Sequence, residues 1–344
     1  MAAVANSDRP VLQAALASLG QLVDGSEYEV VVLGASKDPN PKVTVALLGR
    51  GSVEPSLVVK APMTDIAAAA VARETAVLES LRTEFGQLPG LPRVLGMVDF
   101  HGRDAAVMSG LQGTPMFTSY HLRRRTTSSK SVATDFSAVQ RWLDSFQHLT
   151  RGSGSPVAVT AGTRDQLKDR FRDDELLGPA AESLAELETR LEQHAVAQTA
   201  VHGDLWCGNV LVAGGKVNGI VDWELGAPVG NPLRDLVRFA ITYALYLDRH
   251  TKPGKTVAGH DGLRAGIWGA GIRYAVEAEG WFCDLFRAFI HNGLVRLGVP
   301  KLDWRDAVLA GLLEVAVTAD EHEFARHHLE LFLELASSVE GRHA

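Results

Sequence analysis

Three side chains in the middle of the chain have the types and spacing for phosphate chemistry at a metal ion. Asp204 and Asn209 lie in the glycine-containing segment 201–209, and Asp222 follows a short β-rich stretch. A carboxylate and an amide oxygen suit Mg²⁺, which prefers few protein ligands and keeps several water or phosphate oxygens. A second carboxylate beside such an ion could accept the proton of an attacking hydroxyl group. The segment therefore predicts a nucleoside-triphosphate site, with Asn209 and Asp222 as metal ligands and Asp204 as the base.

The residues between Asn209 and Asp222 predict how these side chains converge. Two β-rich runs flank Gly214-Gly215, which predicts a tight hairpin because its turn needs positive φ. Counting back along the ladder sets Asn209 opposite Ile220, with Asp222 as its diagonal neighbour at roughly 7–8 Å. Each of these residues alone is more often a helix-cap or turn residue. The three in this order, around a hairpin, favour a phosphoryl-transfer site.

An ion pair is predicted in the first third of the chain. The stretch from Asp65 to about Thr83 has helical periodicity, and Glu74 falls on its apolar side, where an unpaired carboxylate would carry a large desolvation cost. Lys60 ends a β-branched run just before this helix and is the predicted partner. Such a pair would hold the ammonium group against the phosphates of ATP, as in protein kinases. The alternative is an isolated structural ion pair.

The elements that must position these residues fall into two predicted parts, which together make an α+β fold. Short β-branched runs predict antiparallel strands at 27–33, 43–49, 57–61, 94–99 and 104–109. Later in the chain, helices are predicted at 134–149, 164–195, 232–249, 262–296, 304–317 and 320–338, interrupted by a β feature at 210–223. We expect a small nucleotide-binding sheet lobe over residues 1–110 and a larger, mainly helical, catalytic and substrate-binding lobe over residues 111–344.

Composition limits the classes of partner. The chain has 344 residues, of which 46% are hydrophobic, and no stretch approaches the roughly 18 uninterrupted apolar residues that a membrane span needs. A formal net charge of −7 argues against a nucleic-acid partner. The first ten residues lack a secretion-signal pattern, and Cys207 and Cys283 are too few for a disulfide framework. We therefore expect a cytoplasmic protein without a membrane or nucleic-acid partner.

The run Arg123-Arg124-Arg125 is the local exception to the acidic composition. It could meet a phosphate, an acidic partner, a nucleic acid or a membrane surface, and such binding would weaken steeply with salt. The polar residues that follow it, 126–130, instead favour a solvated loop.

These motifs resemble the aminoglycoside phosphotransferase and choline kinase family, whose fold is protein-kinase-like with two lobes. The matching elements are Lys60 with Glu74, Met108-Ser109-Gly110-Leu111, His202-Gly203-Asp204 with Asn209, Asp222-Trp223-Glu224, and Gly230-Asn231-Pro232 with Asp235-Leu236. Together they cover residues 28 to about 240. The set is specific for the family and not for a substrate.

The resemblance implies a role for each matching residue in nucleotide binding and catalysis. It makes Asp204 the catalytic base, Asn209 and Asp222 the magnesium ligands, and Lys60 the phosphate-binding lysine that Glu74 positions.

The resemblance also implies an adenine site and a set of supporting residues. Backbone groups of Ser109 and Leu111 would bind adenine, and Met108 would line the back of that pocket. His202 and Asp235 would brace the catalytic loop, and Trp223 would lie in the core.

Two departures from protein kinases bear on the substrate. The loop 34–41 has one glycine, so Ser36 is only a weak candidate for phosphate contact, and Asp222 is followed by Trp-Glu instead of Phe-Gly, which disfavours a peptide substrate. Acidic residues could instead recognise an amine, although such residues on amphipathic helices are usually a solvated face. The candidates are Glu224, Asp303, Glu314 and Glu321.

The sequence thus predicts Mg²⁺-dependent transfer of the γ-phosphoryl group of ATP to a hydroxyl of a small molecule. An aminoglycoside, a sugar or amino sugar, or an amino alcohol would all fit, GTP is the alternative donor, and the oligomeric state is open. The alternative function is a catalytically inactive nucleotide-binding pseudokinase that regulates a partner. The complete set of five residues, Lys60, Glu74, Asp204, Asn209 and Asp222, argues against it.

Overall fold

The computed structural model describes residues 28–35, 41–122, 124–152, 155–191 and 194–340, which form two compact units. The first unit contains the described residues up to Thr114, together with Leu211–Ala213 and Asn218–Gly226. The second contains the described remainder from Pro115 onward. The lobe boundary at residue 110 stays a prediction. The division of the sequence at one point did not include the contribution of Leu211–Ala213 and Asn218–Gly226 to the first unit.

A five-stranded antiparallel sheet forms most of the first unit, in the order β1-β2-β3-β5-β4. Its strands are β1 (Tyr28–Ala35), β2 (Lys42–Gly49), β3 (Pro55–Pro62), β4 (Val94–Phe100) and β5 (Arg103–Ser109). Side chains alternate between the two faces of a strand, so Val45, Leu47 and Val59 meet in one buried cluster. The predicted antiparallel strands are all present.

One long helix, α1 (Asp65–Phe85), follows the third strand. Thr64 begins it by accepting a hydrogen bond from the Ala67 N–H at 3.2 Å, and Gly86, with φ of 74°, ends it. Its buried positions recur every three or four residues, as one face of a helix requires. They are Ala67, Ala70, Val71, Glu74, Thr75, Leu78 and Leu81.

The second unit is mainly helical. Its helices are α2 (Met116–Tyr120), α3 (Ser129–Leu149), α4 (Thr163–Arg170), α5 (Leu177–Leu191), α6 (Leu233–Leu245), α7 (Ala270–Glu277), α8 (Trp281–Leu297), α9 (Trp304–Thr318) and α10 (His322–Glu340), with a 3₁₀ turn at Lys301–Asp303. Helix α6 is buried over most of its length and packs against α7, α8 and α9. Because it begins directly after the Gly-Asn-Pro motif, this central helix can support the motif residues.

Two of the predicted long helices are wrong, since each is broken into two. The predicted helix 164–195 is α4 and α5, separated by a turn in which the Asp174 carboxylate accepts the Leu176 N–H at 2.9 Å. The predicted helix 262–296 begins only at Ala270 and breaks at Gly280, whose φ of 135° is a glycine conformation. Apolar periodicity continued across both breaks and concealed them.

The remaining strands are short, and the two that flank Gly214-Gly215 make the predicted hairpin. They are β6 (Thr114–Pro115), β7 (Val157–Ala158), β8 (Ala195–Val196), β9 (Thr199–Val201), β10 (Val210–Ala213), β11 (Lys216–Ile220) and β12 (Ala227–Gly230). Gly214 and Gly215 have φ of 57° and 72°, so the predicted turn is confirmed. Strand β11 ends at Ile220, however, and Asp222 has φ of 71°, so the predicted ladder position of Asp222 is wrong. None of the described helices combines the length and the apolar character that crossing a membrane requires.

Candidate active site

A buried lysine lies between two carboxylates in the first unit. The Lys60 ammonium donates to both carboxylate oxygens of Glu74, at 2.7 and 2.6 Å, and to Asp222 Oδ1 at 2.9 Å. Lys60 lies on the face of β3 opposite the buried Val59, and Glu74 lies on the buried face of α1, where it is 1% exposed. The strand and helix patterns therefore direct these two side chains toward each other, as the sequence predicted.

Charge balance in this group keeps Lys60 an ammonium ion. Burial alone would lower the pKa of Lys60, but Glu74 and Asp222 more than offset it, so the pKa lies above the ordinary lysine value. The Trp223 N–H donates to Glu74 at 3.1 Å, which ties the residue after Asp222 to the same carboxylate. Trp223 itself is fully buried, as expected. Lys60 is therefore a fixed positive charge beside the partly exposed Asp222 carboxylate.

Asp222 adopts the left-handed backbone conformation, which few residues other than glycine visit. Aspartate and asparagine tolerate it better than most, although it costs on the order of 1–3 kcal/mol unless the surroundings support it. Its side chain is 37% exposed, in contrast to the side chain of Glu74. The backbone therefore turns this carboxylate out of the ladder, next to the Lys60 ammonium.

A second lysine joins this group, and sequence reasoning did not select it. Lys42, at the start of β2, donates a hydrogen bond to Glu224 and lies 3.8 Å from Asp222 Oδ1. Burial, followed by the nearby Asp222 charge, raises the pKa of Glu224, and Lys42 opposes that rise. The signal was available in the strand register. Thr44 pairs with Lys60, so Lys42, two residues before Thr44, lies on the same face.

In the second unit, a buried carboxylate braces the loop that carries Asp204. Asp235, in the first turn of α6, accepts the N–H groups of His202 at 2.7 Å and Gly203 at 2.8 Å. His202 and Asp235 are 0% and 1% exposed. The His202 Nδ1 in turn accepts the Asp204 N–H at 3.2 Å. These bonds fix the backbone on the N-terminal side of Asp204.

The Asp204 side chain has two further partners. Arg238 Nη2 lies 2.6 Å from Asp204 Oδ1, and the Asn209 amide nitrogen lies 3.0 Å from the Asp204 carbonyl and 3.3 Å from Oδ2. Because the Asn209 nitrogen faces Asp204, its amide oxygen is on the other branch of the side chain. Sequence reasoning missed Arg238, although its place three residues after Asp235 sets both on one side of α6.

The residues proposed for adenine lie at the end of β5. Met108 is 2% exposed, and the Ser109 N–H donates to the Arg93 carbonyl at 2.9 Å, so its own carbonyl is the group that could meet a base. Gly110 is required by space, since a Cβ there would lie 1.9 Å from the Pro55 carbonyl oxygen. Leu111 is half-buried after it. Ser36 lies outside the described residues.

The acidic residues considered for amine recognition are largely paired within the protein. Glu224 bonds with Lys42, Asp303 with His194 at 2.7 Å, and Glu314 with Arg234 at 2.5 Å, while Glu321 is exposed. Three of the four carboxylates therefore already have a basic partner within the protein.

One of the two described arginines of the basic run forms an ion pair within the protein. The Arg125 guanidinium donates to Asp135 at 2.7 Å, and Arg124 is exposed with φ of 68°. Arg123 lies outside the described residues.

The oxygen donors of Asn209 and Asp222 fit the preferences of Mg²⁺. Amide and carboxylate oxygens are hard ligands, and magnesium takes only one or two from a protein when phosphate and water supply the rest. In the part of the chain that the structure describes, no three His, Cys, Asp or Glu side chains group as a metal cage.

Comparison with known proteins gives one family and one fold. The model of the phosphotransferase enzyme family matches residues 43–266, more than half of the chain. No curated protein gave a significant match.

Several solved aminoglycoside phosphotransferases share the fold. Aminoglycoside phosphotransferase APH(4)-Ia gives a TM-score of 0.56 at 13% identity over 94% of this chain and 99% of that one. The GDP complex of wild-type aminoglycoside 2'-phosphotransferase-IIIa gives 0.55 at 15% identity, over 95% and 98%. A thermostable APH(4)-Ia mutant in a ternary complex with ADP and hygromycin B gives 0.54 at 14% identity, over 93% and 97%. The predicted α+β fold, a kinase-like small antiparallel sheet followed by a helical part, is confirmed.

Proposed function

Since the chain belongs to the phosphotransferase enzyme family, we propose that it transfers the γ-phosphoryl group of ATP to a hydroxyl group of a small molecule. The acceptor class is an aminoglycoside, a sugar or amino sugar, or an amino alcohol. The observation that carries this proposal is the buried Lys60 ammonium bound by Glu74 and Asp222. A buried ion pair contributes little net stability, so its presence beside a partly exposed carboxylate favours a role in binding an anion.

The first unit would bind the nucleotide. Lys60, held by Glu74, would contact the phosphates, as the corresponding pair does in protein kinases. The Ser109 carbonyl and the Leu111 N–H would meet the adenine edge, and Met108 would line that site. A phosphate contact from Ser36 rests on the resemblance alone. Solved relatives include complexes with ADP and with GDP, so GTP is the competing donor.

Asn209 and Asp222 would hold Mg²⁺, which when bound neutralises charge on the phosphates. The hydrogen bonds from the Asn209 nitrogen to Asp204 orient its amide, which supports the proposed role of the amide oxygen as a metal ligand. Asp222 would contribute its partly exposed carboxylate. Both residues are thus already oriented by their own unit.

Asp204 would act as the general base. Arg238 pairs with Oδ1 at 2.6 Å, and Oδ2, which accepts only the longer 3.3 Å bond from Asn209, is the oxygen that would take the proton from the acceptor hydroxyl. The bracing of His202 and Gly203 by Asp235 keeps the carboxylate in place before substrate arrives. The ion pair and the backbone hydrogen bonds would therefore position the base. Positioning is the main contribution that a protein makes to phosphoryl transfer.

The chemistry of the cysteines supports a cytoplasmic location. Cys207 and Cys283 are buried and form no disulfide with each other, and burial raises the pKa of Cys207 to about 12. Such inert thiols suit a reducing compartment.

The test is a coupled screen for ADP or GDP release by the protein with aminoglycosides, hexoses, hexosamines and amino alcohols as acceptors, and with ATP or GTP as the respective donor. We expect one acceptor class to give turnover, with product mass raised by one phosphate and with loss of transfer in Asp204→Ala. Nucleotide binding without transfer to any acceptor would favour the pseudokinase. Transfer by Asp204→Ala as fast as by the parent would overturn the assignment of the base.

A further inference from the structure

The first unit contains a second lysine–glutamate pair that repeats the arrangement of Lys60 and Glu74. The Lys42 side chain is 9% exposed and its ammonium is bound by Glu224, which lies two residues after Asp222. Because Lys42 and Lys60 share one face of the β2–β3 ladder, both ammonium groups emerge on the same side of the sheet.

Both ammonium groups lie against one oxygen. Lys60 Nζ is 2.9 Å and Lys42 Nζ 3.8 Å from Asp222 Oδ1, so the two nitrogens are at most 6.7 Å apart, the sum of those distances. Two cations this close in a buried setting repel each other, and only the carboxylates between and beside them make the arrangement tolerable. A polyphosphate chain is a ligand that two such cations can share.

The net charge of this lysine–carboxylate group also favours a polyphosphate ligand. Lys42 and Lys60 carry two positive charges, and ionised Glu74, Asp222 and Glu224 carry three negative ones. The group is therefore one negative charge in excess, and one divalent cation would make it one positive charge in excess. That sign favours a bound polyanion together with its metal ion.

We propose that Lys42 is a second phosphate-binding residue, which contacts the phosphates of the bound nucleotide and is positioned by Glu224. This inference rests on the proposed function, because it assigns a ligand to the same nucleotide-binding unit. It adds a residue that the motif set does not include.

The competing explanation is that Lys42 and Glu224 form only a structural tie, and the two explanations differ in the effect of Glu224. If the pair is a tie, removing either partner weakens the unit in the same direction. If Lys42 binds phosphate, loss of Lys42 removes an attraction. Glu224→Gln keeps a hydrogen-bond acceptor that positions the ammonium group and removes a negative charge that repels the phosphates. The effects on metal-free ADP binding then have opposite signs.

The experiment measures binding of ADP, AMP and adenosine to the full-length protein by calorimetry, with Mg²⁺ and with chelator. For Lys42→Met we expect ADP binding to weaken about tenfold, AMP binding to weaken less, and adenosine binding to stay within about twofold. Glu224→Gln should tighten metal-free ADP binding, and Lys42→Arg should keep most of the parent affinity. Arg103→Met is the matched control, because it removes a positive charge from the exposed Arg103–Asp65 pair of the same unit.

Loss of ADP affinity in both Lys42→Met and Glu224→Gln would overturn the inference in favour of a tie. Equal weakening of ADP and adenosine binding in Lys42→Met, or unchanged ADP binding, would also overturn it while the proposed function stands. A parent protein that binds none of the three ligands would instead overturn the proposed function and this inference together.

Discussion

The two units hold their functional carboxylates by different means. In the first unit, Asp222 and Glu74 are fixed by direct ion pairs with the Lys60 ammonium. In the second, the Asp204 carboxylate pairs with Arg238, and the loop before Asp204 is also fixed by backbone N–H groups that donate to the buried Asp235. The first arrangement brings two carboxylates to one ammonium group, and the second adds backbone hydrogen bonds to a single ion pair.

The two units also differ in how they bury an ionisable group. The first buries lysine as a cation because carboxylates surround it. The second buries His328 without an acid partner, and burial lowers its pKa to about 3, with its Phe324 hydrogen bond opposing the change and the charges of Arg238 and His327 adding to it. The first unit therefore buries a charge that carboxylates compensate, whereas at His328 the second unit keeps a buried base neutral.

The largest expected effect comes from removing the cation of the first unit. Lys60→Met leaves Glu74, which is 1% exposed, without its ammonium partner, so we expect a loss of about 3–5 kcal/mol in the free energy of unfolding. Urea denaturation measures it. Adding Glu74→Leu should restore much of the loss, because the unpaired charge is gone. If Lys60→Met alone were as stable as the parent, the difference described between the two units would be wrong.

A smaller effect is expected from the brace in the second unit. Asp235→Ala leaves the His202 and Gly203 N–H groups without their acceptor, at a cost of about 2 kcal/mol in unfolding free energy. Turnover should fall further than nucleotide affinity, since the loop carries Asp204. Asp165→Ala, which removes an exposed first-turn carboxylate from α4, is the control. Equal losses in the two variants would show that Asp235 acts only on the helix end.

The smallest effect is a pH dependence from His328. Its pKa is lower in the folded protein than the ordinary 6.5, so its contribution to stability is present above that value and is lost as pH falls. We expect the parent to lose about 1 kcal/mol between pH 7 and pH 5.5 through this group. His328→Phe should flatten that part of the denaturation profile, and His148→Phe, at an exposed site, should not. An unchanged acid slope in His328→Phe would contradict the buried neutral histidine.

Local patterns predicted the first-unit pair and the glycine turn. Lys60 and Glu74 follow from strand alternation and helix periodicity, and Gly214-Gly215 from the φ requirement of a hairpin. Identifying Lys42 requires the strand register, and identifying Arg238 requires knowing which side of α6 faces the loop that carries Asp204. A single motif reveals neither. The left-handed conformation of Asp222 was missed because ladder counting assumes that the strand continues.

We assign nucleotide binding to the first unit and proton removal to the second. The same isosteric change in each unit, Asp222→Asn and Asp204→Asn, separates these roles when Mg²⁺-dependent ADP affinity and single-turnover transfer rate are measured on both variants. We expect Asp222→Asn to lose the metal-dependent gain in affinity. Asp204→Asn should bind ADP as the parent does but transfer about 10²–10⁴-fold more slowly. Parent-like transfer by Asp204→Asn, or unchanged metal dependence in Asp222→Asn, would contradict this assignment.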